Sequence, residues 1–265
     1  MFVSVATCLH VAYGCGMRFC ALDAAFSKHS VYRQGYLHLI TTRDGNNCIL
    51  PLAWALCETE SGDTYKWFAE QCFLAGLGRY LTKQSVLFTD RMKGIQEFYA
   101  RFACYEAHCF KHIVDNCRKH IKGRRQHFEN VTAWALRNAN TKEEYLRQLM
   151  LLRAQSRAAA DYFDALKHEQ VFQYALNENK VATHGFKTSQ IVECLNGVFV
   201  EARHHAPYRL NDMILAWIGK RLQEKRLQII KYMGDGHFLT PYCAKLFQIQ
   251  VCTNGPTRAH TFTLH

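Results

Sequence analysis

The chain has 265 residues, 49% of them apolar, and only four prolines. That is enough apolar material for a sizeable core, and it excludes a disordered or low-complexity polymer. The net charge is +11, and it is uneven: basic and acidic residues cancel over 1–90, so the whole excess lies in 91–265.

The excess gathers at Lys111–Arg125 and Lys220–Lys231. Basic faces of this kind attract polyanions, nucleic acid above all, by releasing condensed counterions. A solvated, lysine-rich helix surface is the plainer account. The twelve cysteines form no C-x-x-C pair, so reduced thiols inside a cell are expected. The first 25 residues are rich in Val, Ala and Cys but lack a basic start, and His10, Tyr13, Gly14 and Arg18 interrupt them, so a cleaved leader is not expected. No apolar stretch reaches the ~18 residues of a membrane span, and a soluble protein is expected.

In chain order, residues 19–26 read as a strand carrying one acid, Asp23. Residues 35–44 and 48–58 read as two strands joined by Gly45-Asn46-Asn47, a turn tolerant of positive φ. Ser61 to Asp63 offers a helix cap, and Tyr65, Phe68, Cys72, Leu74 and Ala75 supply one apolar face. A strand at 85–90 ends on Asp90. Helix is expected over 93–102, strand over 104–109 and helix over 110–121. This order implies a mixed sheet covered by helices. Residues 127–180 read as almost purely helical, with a Thr141/Glu144 capping box, and ALNENK at 175–180 breaks the pattern. A helix restarts near 188 with Thr188 or Ser189 as cap, and a long basic amphipathic helix runs over 210–232. The final residues are not assigned.

Asp23, Asp90 and Glu193 each have an ordinary reading alone: a hydrogen-bonded core acid, a helix cap and an exposed helix acid. A carboxylate in an apolar strand is costly without a partner, and a strand end opens into the ligand crevice of an α/β sheet. Converging, the three could hold two Mg²⁺ or Mn²⁺ ions, which prefer oxygen ligands. Such a pair activates an attacking oxygen and stabilises the leaving oxygen of a phosphodiester.

Five ordered blocks then resemble the catalytic domain of Mutator-like element (MULE) transposases. They are LDAAF with Lys28; RDGNNCILPLAWALCETESGDTYKWF with Asp44, Gly45, Pro51, Ala53, Glu60, Trp67 and Phe68 in register; FTDRMKGI; HCFKH followed by NCRK; and TSQIVECLNGVFVEARHHAPYRLNDMI with Glu193, Asn196 and Pro207. Together they span roughly residues 20–215. The resemblance implies a ribonuclease H-like fold with Asp23, Asp90 and Glu193 as the DDE triad and metal ligands. It also implies an all-helical insertion before the last catalytic helix. The hairpin at 35–58 would pair with the Asp23 strand and hold it rigid. Ala24-Ala25 stands where the family usually has Gly-Thr, Tyr65 where tryptophan is common, and Ile191-Val192 where a small or polar pair is usual. The zinc modules that flank the family's core have no visible counterpart, so a core fragment or decayed copy is expected.

The division expected is 1–126 for the first part of the core and 127–185 for the insertion. Residues 186–232 then hold the catalytic and basic helices, and 233–265 stay unassigned. Cys109, His112, Asn116 and His120 fall on one helical face. Zinc usually takes ligand pairs from different elements and is not expected here. Cys109 should pack inside and His112 should face the carboxylate site or the scissile phosphate. Asn196, sharing a face with Glu193, could orient that acid or a phosphate.

The function expected is a DDE transposase core that cuts and joins double-stranded DNA, nuclear in location, not membrane-bound and able to form a homo-oligomer. Lys111, Arg118, Lys119, Lys122, Arg124, Arg125, Lys220, Arg221, Lys225 and Arg226 would hold phosphates. A domesticated, non-catalytic DNA-binding protein and a truncated, inert relic are the alternatives.

Overall fold

The computed structural model describes residues 1–15, 18–33, 35–92, 94–122 and 127–254. It opens with a short strand β1 (Phe2–Ser4) and a helix α1 (Ala6–Gly14), neither of them expected from the sequence. The apolar run around Asp23 forms β2 (Phe19–Phe26). The expected hairpin is present as β3 (Tyr36–Arg43) and β4 (Ile49–Cys57), with Asn47 at φ 60° in its turn.

Ser61 caps α2 (Gly62–Leu74) by accepting a hydrogen bond from the Thr64 amide. The buried face of α2 is Tyr65, Phe68, Ala69 and Cys72, while Leu74 of the expected stripe is exposed. Next come β5 (Val86–Thr89), α3 (Gln96–Tyr99), β6 (Tyr105–His108) and α4 (Phe110–Ile121). The helix expected over 93–102 is cut to one turn, and Lys93 lies outside the described residues. Gly94 explains part of this. Its φ of 92° is left-handed, and a Cβ there would stand 2.6 Å from the Gly62 amide nitrogen. The backbone leaving Asp90 therefore lies directly against the start of α2, which only glycine permits.

The six strands form one mixed sheet in the order β1-β4-β3-β2-β5-β6. β2, β5 and β6 run parallel, and the β2–β3, β3–β4 and β4–β1 pairs are antiparallel. Only the first arm of the hairpin pairs with the Asp23 strand. β4 lies one strand further out, joined to β3 and β1, so the expected direct pairing of both arms with β2 does not occur.

Side chains alternate between faces along a strand. His38, opposite Ala24, meets Tyr65 and Phe68 of α2. Asp23, opposite Leu39, therefore points to the other face.

Residues 130–178 hold α5 (Asn130–Asn138), α6 (Lys142–Gln155), α7 (Arg157–Asp164) and α8 (Gln173–Glu178). Thr141 caps α6 through the Glu144 amide, and Glu144 reaches back to the Asn140 amide. These helices share an apolar cluster separate from that of the sheet, and it already includes Phe110, Ile113, Val114, Cys117 and Ile121 of α4. The change of core thus falls at Phe110, upstream of the boundary expected at 126.

α9 (Gln190–Val198) packs on β2 and β3. α10 (Pro207–Gly234) buries Leu210, Ile214 and Ile218, and its second half leaves Leu227, Ile229 and Ile230 exposed. α11 (Pro241–Asn254) occupies part of the stretch left unassigned. Its start docks on the hairpin turn: Thr240 Oγ1 donates to the Gly45 carbonyl at 2.6 Å, and Asn46 Oδ1 accepts from the Tyr242 amide at 3.1 Å. Lys225 of α10 pairs with Asp44 at 2.6 Å beside them.

Candidate functional site

Asp23, Asp90 and Glu193 come from β2, the residue after β5 and the first turn of α9. The structure brings them together. Asn196, one turn beyond Glu193, donates from Nδ2 to Asp23 Oδ2 at 3.0 Å, which fixes α9 over the centre of the sheet. Asp23 feels the charges of Glu193 and His112, and Asp90 feels those of Asp23 and His112. Asn196 therefore orients Asp23, whereas spacing alone had paired it with Glu193. That assignment is corrected because α9 presents Asn196 across the gap to β2.

The two aspartates are electrostatically uncomfortable. Burial pushes the Asp23 carboxyl up, and the neighbouring charge of Glu193 adds to it against the hydrogen bonds from the Ala24 amide and Asn196. Burial likewise raises Asp90 to about 6, helped by the charges of Asp23 and Glu60. Asp90 Oδ1 is buried and has no hydrogen-bond partner. Among the described residues, no ion pair reaches either aspartate.

Glu60 is a fourth carboxylate here. It follows β4, accepts a hydrogen bond from the Tyr65 hydroxyl at 3.0 Å and has its own carboxyl raised by burial and by Asp23. The resemblance placed Glu60 in register but gave it no role. The alternation of strands cannot reach a loop residue, and only its place beside Gly94 and Asp90 reveals it.

Glu193 is held differently. Its Oε2 takes the Lys111 ammonium at 2.8 Å, and its Oε1 lies 3.7 Å from His112 Nε2 and accepts from Ser189 Oγ at 3.4 Å. His112 faces the carboxylates, as expected, and Cys109 is fully buried, as expected. Cys109, His112 and Glu193 can present one ligand atom each, all within 4.8 Å of one another. Polar contact with Cys109, then the charges of Cys109, Glu193 and Asp90, outweigh burial and raise His112 to about 9. Burial alone would raise the Cys109 thiol, but contacts of its sulfur with His112 and Ser189 bring it below its usual value. Asn116 and His120 are exposed, and the His120 ring lies tilted against Tyr162 with centroids 5.5 Å apart, so the helical face drawn from spacing is not one ligand set.

Arg203 ties the assembly together. It is 8% exposed, donates from Nη1 to the Phe26 carbonyl at 2.8 Å, and from Nη2 to the Asn196 carbonyl at 3.2 Å. The end of β2 and the middle of α9 are thus joined by one guanidinium, a residue the sequence reading did not single out.

The expected phosphate-binding residues divide. Lys119, Lys122, Lys220, Arg221 and Arg226 are exposed, and Arg221 lies over the Trp217 ring. Arg118 is exposed but spends a hydrogen bond on Asn130. Lys111 and Lys225 are committed to Glu193 and Asp44. Arg124 and Arg125 lie outside the described residues. No described helix is long and apolar enough to cross a membrane. A scan against protein-family models finds no match, and no curated protein matches the sequence.

Proposed function

We propose that this chain is a DDE-type catalytic core of the kind found in MULE transposases, a ribonuclease H-like domain that cleaves and joins double-stranded DNA. The observation that carries the reading is the meeting of Asp23, Asp90 and Glu193 from three distant stretches, with Asp90 Oδ1 buried and unpaired. Four oxygen-donor side chains, three of them (Asp23, Asp90 and Glu60) raised above their ordinary values, suit a hard divalent cation such as Mg²⁺ or Mn²⁺. An unpaired buried lone pair is costly, and a cation satisfies it.

Asp23 and Asp90 would be the principal ligands, with Glu193 completing the set. When bound, a pair of such ions lowers the pKa of an attacking water or 3′-hydroxyl and stabilises the leaving oxygen. The chain's own residues hold that set still: Asn196 fixes the rotamer of Asp23, Arg203 locks α9 to β2, and Tyr65 anchors Glu60. His112 supplies positive charge facing the three acids. Exposed basic side chains on α4 and α10 would contact the DNA backbone, and nuclear localisation follows from that substrate.

One observation favours a second reading, a domesticated DNA-binding protein without cleavage. Lys111 already neutralises Glu193. A nicking assay on supercoiled DNA with Mg²⁺ or Mn²⁺ separates the two. The catalytic reading expects metal-dependent nicking that Asp90→Asn reduces by at least ~10³-fold while DNA retention stays near normal. Nicking that survives in Asp90→Asn overturns it, and retention without nicking in the unaltered chain selects the second reading.

A further inference from the structure

Beside the oxygen-donor pocket lies a second cluster of different chemistry. Cys109 caps the start of α4, His112 sits on its first turn, and Glu193 reaches across from α9. Spacing along α4 argued against zinc because Cys109, His112, Cys117 and His120 lie on one helix. The structure supplies the missing third ligand from another element. It also separates the second Cys-x-x-His pair from the first, since Cys117 is buried in the helical core and His120 lies against the Tyr162 ring.

We infer that Cys109, His112 and Glu193 form a site for a zinc-class cation, distinct in ligand chemistry from the hard-ion pocket and sharing Glu193 with it. Thiolate, imidazole and carboxylate are a soft-to-borderline donor set, which selects Zn²⁺ or Co²⁺ over Mg²⁺. Three protein ligands with an open fourth position describe an exchangeable zinc site rather than a closed structural one. His112 Nδ1 is buried with no hydrogen-bond partner, and metal binding would displace the imidazolium proton to free a ring nitrogen as ligand. The ligand atoms, within 4.8 Å of one another, need a modest closure to surround one ion.

Lys111 competes for the same carboxylate, with its ammonium 2.8 Å from Glu193 Oε2. A zinc-class ion that captures Glu193 withdraws it from Asp23, so occupancy of this site should oppose the use of Glu193 in the hard-ion pocket. The site itself does not depend on the phosphodiester reading, because its test reads metal binding directly.

The test uses the purified full chain, stripped with chelator and titrated with Co²⁺, then with Zn²⁺. The expected result is a thiolate-to-cobalt charge-transfer band with visible ligand-field absorption at one equivalent, both erased by Zn²⁺ and neither affected by excess Mg²⁺. Cys109→Ser should remove the charge-transfer band. The exposed neighbour Cys194 lies outside the cluster, so Cys194→Ser should leave it unchanged. Cys109 is buried and its replacement could disturb folding, so two variants at less buried positions keep the inference falsifiable. Glu193→Gln should weaken Co²⁺ binding about tenfold, and Lys111→Ala should tighten it several-fold. Absence of the band, its survival in folded Cys109→Ser, or weaker binding in Lys111→Ala overturns the inference.

Discussion

On the sheet side of the pocket, Asp23 and Asp90 are buried carboxylates whose surroundings hold them above the ordinary range, with one oxygen of Asp90 unpaired. On the helix side, Glu193 sits in the first turn of α9, where the helix dipole favours its charge, and two cationic side chains face it. Among the described residues no ion pair reaches the two aspartates, which feel His112 only through its charge, whereas Glu193 is directly paired with Lys111. The contrast teaches that a carboxylate cluster need not be uniform: in a single pocket the strands carry the unmet electrostatic demand, while the helix carries an acid that can change partners.

The largest expected effect comes from breaking the joint between the two sides. Arg203→Met leaves the Phe26 and Asn196 carbonyls without their donor, and destabilisation of about 3 kcal/mol is expected from loss of charged hydrogen bonds to one buried and one part-buried acceptor. Chemical denaturation measures it. A loss below 1 kcal/mol would mean that α9 is held over the sheet by apolar packing alone.

The next effect concerns pH. The folded-state carboxyl of Asp90 is raised from 3.8 to about 6, so the folded chain binds the proton more tightly than the unfolded one. Its contribution to stability is present below about 4 and is lost as pH rises through about 6. Asp90→Asn removes that loss and should stabilise the metal-free protein at pH 7 by on the order of 2 kcal/mol. Melting curves between pH 4 and 8 check this, and a variant whose pH dependence matches the parent would refute the assignment of the demand to Asp90.

The smallest effect is the sharpest contrast. Glu193→Gln deletes a carboxylate from the same pocket, but its ion pair with Lys111 is half exposed and should contribute under ~0.5 kcal/mol. Similar stabilisation by Asp90→Asn and Glu193→Gln would erase the distinction between the two sides.

Much of this pocket was legible because its parts sit in strongly patterned segments. An acid within FCALDAAF, an acid after SVLFT and an acid at a helix start are local signals, and β2, β5, β6 and α4 formed close to where the pattern put them. What escaped was what depends on long-range approach. Glu60 lies in a connection beside Glu58, and nothing local distinguishes the two. Arg203 follows α9 in a single 3-10 turn (Ala202–His204), and its two carbonyl partners are set by tertiary packing. Lys225 resembled any other cation on a basic helix until α10 carried it to Asp44. β1 and α1 were missed because Val, Ala and Cys fill that stretch without a clear period.

The hairpin turn has a consequence of its own. Asp44 lies five positions beyond Leu39, the neighbour of Asp23, about 17 Å along the strand. At that far end the Gly45 carbonyl accepts from Thr240, the Asn46 side chain accepts from Tyr242, and Cys15 and Cys243 present their sulfurs to the Gly45 amide and carbonyl. The last described helix is therefore clipped to the rim of the sheet as a working part of the domain. A shortened chain stopping at 232 would strip the Gly45 carbonyl and the Asn46 side chain of their partners and unfasten the hairpin from its outer end inward.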